Sequence, residues 1–122
     1  MTPEEFIARA KRDLGWSPEA ARLGIASGFC CTYCRQSLVE DLYSYDSWHR
    51  DHLKPQSSGG GDEEANLVLS CKVCNYIKGE YSPKGNSRQE QIEDASRYIA
   101  QGLRRKEDYF DKVKALVTAF LG

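Results

Sequence analysis

Residues 51–78 read DHLKPQSSGGGDEEANLVLSCKVCNYIK. This stretch decides the fold, because its composition switches from strand to loop to strand to helix over a short length of chain. Asp51 and His52 lie in a first strand, predicted over 47–53. Pro55 then removes a backbone donor and ends regular pairing. Ser57-Ser58-Gly59-Gly60-Gly61 is a loop by composition. Asn66 leads into a short apolar strand over 67–69. Cys71-x-x-Cys74 opens a helix that carries Asn75 and Lys78 to a stop at Gly79.

Just upstream, residues 28–35 read GFCCTYCR and supply a second cysteine pair. Three cysteines compete there for two ligand places. Cys31-x-x-Cys34 has the tight-turn spacing that faces two thiolates toward one ion, with Phe29 and Tyr33 packed around the turn. Cys30 is then a small buried residue. A swap in which Cys30 replaces Cys31 stays open. Four thiolates select a soft or borderline ion, and zinc suits their tetrahedron. Such a site is closed, so Cys31, Cys34, Cys71 and Cys74 are read as structural zinc ligands whose binding energy becomes folding energy. Disulfides are disfavoured in a reducing compartment. A redox reading of Cys71-x-x-Cys74 lacks the surrounding βαβ pattern it needs.

The 122 residues are one domain's worth, with a helical lead over 1–29, the central unit over 30–80 and a helical extension over 81–122. Charged residues at 29% and hydrophobic ones at 40% favour a small globular protein with much surface over a disordered or membrane-spanning chain. The N-terminus MTPEEFIARAKRDLG lacks the layout of a signal peptide, which makes the cytoplasm the expected compartment. A net charge of −1 provides no general basic footprint for nucleic acid. Local fields differ from the total. Lys54, Lys72, Lys78, Lys84 and Arg88 lie in or just after the central stretch, opposed by Asp62-Glu63-Glu64.

The flanks read as helices. Thr2, Pro3 and Glu5 start one over 2–14, with Phe6, Ile7, Ala10 and Leu14 on one face and Gly15 at its end. Ser17-Pro18-Glu19 starts a second, closing near Gly24. Residues 36–48 carry no clear period. Ser87 and Glu90 form a capping box for a stripe of Ile92, Ala95, Ile99 and Leu103. A second stripe follows through Tyr109, Phe110, Val113, Leu116, Val117, Phe120 and Leu121. These are two helices, or one helix broken near Gly102. The C-terminal stripe is either core packing or the face of a homodimer.

By residue type and spacing the central stretch resembles the HNH endonuclease family, whose fold is the ββα-metal finger. The matching residues are Asp51-His52, Pro55, Gly59-Gly60, Asn66-Leu67, Cys71-x-x-Cys74, Asn75 and Lys78. The resemblance spans about residues 30–80 and leaves the helical flanks outside. It implies an α+β, mostly helical fold: a small ββα-metal finger clamped by zinc, with N-terminal and C-terminal helices.

The chemistry of the residues agrees with that family. Phosphodiester hydrolysis needs an activated water and a positive charge near the departing oxygen. His52 is the candidate general base, since a histidine can take a proton near neutral pH. Asp51 and Asn75 can offer oxygen to a hard cation and leave positions open for phosphate and water. The resemblance implies a single Mg²⁺ or another divalent ion on Asp51 and Asn75, bracing of the loop by Asn66, and DNA as substrate. Neighbours on a regular strand face opposite ways, so Asp51 and His52 share one phosphate only if the strand twists or ends there. Lys78 is read as a substrate phosphate contact or as a solvated helix end, His49 as a packing residue or an accessory contact, and Glu63 and Glu64 as facing water. The expected function is a metal-dependent DNA endonuclease. The alternative is a zinc-stapled module that binds nucleic acid or protein without cutting.

Overall fold

A computed structural model describes residues 1–122. Helix α1, Pro3–Leu14, starts where Thr2 Oγ1 accepts the Glu5 N–H at 3.1 Å. It ends at Gly15, whose φ of 72° is left-handed. Helix α2, Pro18–Ser27, starts in the same way, with Ser17 Oγ accepting the Ala20 N–H at 3.1 Å. It does not close near Gly24. It runs on to Gly28, which takes the left-handed cap. Gly24 serves packing instead, because a Cβ there would come within 2.4 Å of the Phe29 ring.

Residues 36–48 contain α3, Leu42–Asp46, a single capped turn too short to show a period. Its Asp41–Ser44 capping box holds one end. Tyr45 joins Phe6, Trp16, Phe29 and Trp48 in a satellite aromatic cluster that fastens α1 and α2 to the cysteine knuckle. The Trp48 indole N–H is spent on the Leu38 carbonyl at 2.6 Å.

Strand β1 is His49–His52 and strand β2 is Leu67–Ser70. They pair antiparallel, with His49 opposite Ser70, Asp51 opposite Val68 and His52 opposite Leu67. β1 is shorter than the predicted 47–53, although one further bond, Leu53 N–H to Asn66 O at 2.8 Å, continues past its end. All of β2 is buried. Its unalternating Leu-Val-Leu run is that of a strand covered on both faces. The Thr32 N–H donates to the Leu69 carbonyl at 2.9 Å, which ties the first cysteine knuckle to this strand. Leu23, Leu38, Leu53, Leu67, Val68, Leu69, Ala95 and Ile99 form the core around Cys31 and Cys74.

Helix α4, Lys72–Lys78, follows β2 directly and completes the ββα unit. Helix α5, Arg88–Leu121, is continuous through Gly102. The break expected there is absent because Gly102 is a contact point and not a terminus. It is buried against α4, where a Cβ would stand 2.5 Å from Ile77 Cγ2. The α4–α5 crossing therefore tolerates no side chain at that position. Beyond it, every residue of 104–122 is exposed, Phe120 at 87%. The chain is α+β and mostly helical, as the sequence implies, and none of its helices is long and apolar enough to cross a membrane.

Candidate metal centre and polar groove

Two short turns bring the cysteines together. In the first, Arg35 adopts a left-handed φ of 66° and returns its N–H to the Cys31 carbonyl at 2.9 Å. In the second, Cys71 caps α4, its sulfur receiving the Cys74 N–H at 3.4 Å. The Sγ atoms of Cys31, Cys34, Cys71 and Cys74 all lie within 4.8 Å of one another. Cys34 and Cys71 are 3.9 Å apart. A tetrahedron of thiolates at about 2.3 Å from a zinc ion has edges of about 3.8 Å, so the donor set fits such an ion. Cys30 is outside the cluster, its sulfur 3.5 Å from the Gly28 carbonyl. The choice left open in the sequence therefore falls to Cys31, which the turn directs inward.

Without an ion, four crowded sulfurs cannot all ionise. Hydrogen bonds from Cys71 and Cys74 push Cys31 down, and the same network pushes Cys74 up. Burial pushes Cys34 up to about 11. A dication removes this conflict by neutralising all four at once.

The second constellation lies at the end of β1. Arg50, Asp51, His52, Gln56, Ser57, Asn75 and Glu80 line one polar groove of about 200 Å³. Asp51 and His52 thus reach the same groove although they are neighbours on a strand. Asp51 is buried. Its Oδ2 accepts from the Tyr33 hydroxyl and lies 3.6 Å from Lys78 Nζ. Its Oδ1 meets Asn75 Nδ2 at 3.3 Å. One carboxylate oxygen is therefore held internally, and the other faces the groove beside Asn75. Turning the Asn75 amide over would present its oxygen there, since oxygen and nitrogen of an amide are interchangeable in shape.

Burial raises the Asp51 carboxyl above its ordinary value, with Tyr33 and Lys78 pulling it back. Burial also lowers Lys78, against the pull of Asp51. Desolvation together with Asp51's negative charge pushes the Tyr33 hydroxyl far upward, so it stays a donor. Lys78 is 1% exposed and donates to the His52 carbonyl at 2.9 Å. Neither reading of Lys78 from the sequence fits this. Its ammonium reaches no solvent or phosphate and instead braces Asp51 and the end of β1. Nothing in the spacing marks it, because Lys78 looks like any basic residue in a last helical turn.

His52 is half-buried, its Nε2 2.7 Å from Asp62 Oδ1. A carboxylate only accepts, so Nε2 is the ring nitrogen that donates this bond, and Nδ1 is the one it leaves unengaged. That bond holds Asp62 below the usual carboxylate range. Asn66 spans the loop: its Oδ1 accepts the Lys54 N–H at 2.9 Å, and its Nδ2 donates to the Lys54 and Gly61 carbonyls at 3.0 and 2.9 Å. Gly60 lies against the Lys54 carbonyl, with no room for a Cβ. Glu64 is not simply turned to water, since it pairs with Arg22 of α2 at 2.7 Å. Arg88 of α5 donates to the Ala65 carbonyl at 2.8 Å. The groove's loop is thus tied to helices on both flanks. Sequence reasoning missed Tyr33 and Asp62 because both meet their partners across long loops that no periodicity encodes.

Comparison with known proteins agrees with this geometry. The HNH endonuclease family matches residues 31–80. That span covers both cysteine pairs, the two strands, the braced loop and α4. Searches of the curated proteins and of the solved structures return no match. Residues 31–80 of this chain therefore match the HNH endonuclease family, and they carry four cysteines positioned to hold a metal ion.

Proposed function

We propose that the chain is a metal-dependent DNA endonuclease. The observation that carries this reading is the shared groove of Asp51, His52 and Asn75, held one residue from the metal ligand Cys74. Zinc is the ion we assign to the four cysteines, on donor type and spacing. Mg²⁺ or another divalent ion is assigned to Asp51 and Asn75, where it would neutralise charge on the leaving oxygen.

The chain's own residues do the rest. His52 takes a proton from water at Nδ1, while Asp62 holds Nε2–H and the ring plane. Asn66 fixes the loop that carries Asp62 and so limits the ring's freedom. Tyr33 and Lys78 keep one oxygen of Asp51 engaged, which orients the other toward Asn75. The test is plasmid nicking with Mg²⁺, Mn²⁺ or Ni²⁺, with His52→Ala alongside. Nicking that depends on the added metal and vanishes in the variant supports the reading. Undiminished nicking by the variant defeats the His52 assignment.

The rival reading, a zinc-stapled module that binds without cutting, draws on one observation. Tyr33, Lys78 and Asn75 already surround the Asp51 carboxylate with donors. Wild-type protein that binds DNA but nicks it with none of these metals would favour it.

The three segments are proposed to act as one domain in the cytoplasm, whose reducing conditions suit five free cysteines. For the distal half of α5 we assign a second copy of the chain as partner. Tyr109, Val113, Leu116 and Phe120 repeat at coiled-coil spacing on the part of α5 beyond Leu103, which is exposed throughout. A helix without tertiary support is marginal in water, and an identical apolar seam supplies that support.

A further inference from the structure

A second cleft opens beside the first. It has a volume of about 580 Å³ and is lined by His49, Lys72, Val73, Asn75, Tyr76 and Lys106. No carboxylate lines it, although acidic residues outnumber basic ones in the chain, 18 to 17. Neither Lys72 nor Lys106 belongs to any ion pair. The Lys106 ammonium stands 4.9 Å from the centre of the Tyr76 ring. Tyr76 itself is 75% exposed, so its ring is open to a partner. Asn75 lines both this cleft and the polar groove, so the two adjoin at that residue. Lys106 belongs to α5, outside the family segment.

We infer that this cleft is the track on which the substrate strand leaves the polar groove, its phosphates held by Lys72 and Lys106 and its sugar face packed on Tyr76. The inference rests on the nuclease reading for the position of the cut. The physical case is independent of it. Unpaired ammonium groups around an exposed ring, with no carboxylate lining the cleft, attract a polyanion that also carries flat apolar surface. A neutral or cationic partner would gain nothing from either lysine. α5 then does more than pack the core with its first half and meet a second copy with its distal half: its midpoint contacts nucleic acid.

The test uses the full zinc-loaded chain with His52→Ala, so that bound DNA stays intact. Binding of a short fluorescent duplex is followed by anisotropy from about 50 to 200 mM salt. The variants are Lys72→Glu, Lys106→Glu and Tyr76→Ala, all at exposed positions. Lys11→Glu on α1 makes the same change in net charge away from the cleft. The inference expects each cleft reversal to weaken binding about tenfold or more, and to flatten the log–log salt dependence by about 0.9. Tyr76→Ala should weaken binding while leaving that slope unchanged. In the nicking-competent chain the same variants should raise KM and spare kcat. Cleft variants that bind no worse than Lys11→Glu overturn the inference, and nicking by the wild type would then still stand. Binding lost in the cleft variants, by a wild type that never nicks, keeps the track and removes the nuclease. A wild type that neither binds nor nicks overturns both.

Discussion

Gly102→Ala should change sign with its background. Gly102 lies inside α5 at the crossing with α4. An added methyl would stand 2.5 Å from Ile77 Cγ2, with Cβ and Cδ1 of the same side chain at 3.6 and 3.7 Å. Carbon atoms pack at about 3.5–4.0 Å, so the two helices must part by roughly 1 Å or Ile77 must leave its rotamer. Two effects then oppose each other. Replacing glycine by alanine inside a helix gains about 1 kcal/mol. Overfilling a packed contact costs about 1–3 kcal/mol. The net expectation is a loss of up to about 2 kcal/mol. In an Ile77→Ala background the methyl has space, so only the helix preference remains. There Gly102→Ala should stabilise by about 1 kcal/mol. The assay is a double-mutant cycle by urea unfolding of the zinc-loaded protein, with the slope m checked for constancy. The reasoning is refuted if Gly102→Ala stabilises equally in both backgrounds, since α5 would then not approach α4 at this point.

Three further outcomes are expected. Elemental analysis should find about one zinc per chain, lost together with the fold in Cys74→Ser and unaffected in Cys30→Ser; retention of metal by Cys74→Ser would remove the assignment. Lys78→Met should cost about 3–5 kcal/mol by leaving Asp51 buried without its cation. The double change Asp51→Asn with Lys78→Met should recover most of that in urea unfolding, and no recovery would mean Lys78 acts through the His52 carbonyl alone. Light scattering should report a dimer that Phe120→Glu converts to monomer at the same concentration, whereas an unchanged mass in that variant would rule out the α5 seam.

Much of the molecule is legible in its sequence. The hydroxyls of Thr2, Ser17 and Ser87 sit just before their helices and accept the N–H three residues on. Pro55 marks the end of strand pairing. The two Cys-x-x-Cys pairs announce a metal centre. Misreadings concern glycines and a lysine. Gly24 and Gly102 look like helix stops, and both are close-packing sites inside helices. Lys78 looks like a surface cation and lies in the interior. In each case the residue type is compatible with both roles, and only its neighbours decide between them.

The sequence by itself determined the order strand, loop, strand, helix, the helix starts and the two thiolate pairs. These follow from local chemistry: a missing N–H, a side-chain oxygen three residues from a free donor, two sulfurs on one tight turn. The tertiary structure alone decided that Cys31 and not Cys30 faces the other sulfurs. It also decided that Tyr33 and Lys78 meet at one oxygen of Asp51, that Asp62 meets His52, and that Lys106 reaches Tyr76. Each of these is a meeting of side chains well separated along the chain, set by how α4 and α5 cross and how the loop folds back. No periodicity or spacing carries that information, because it arises only when the core closes.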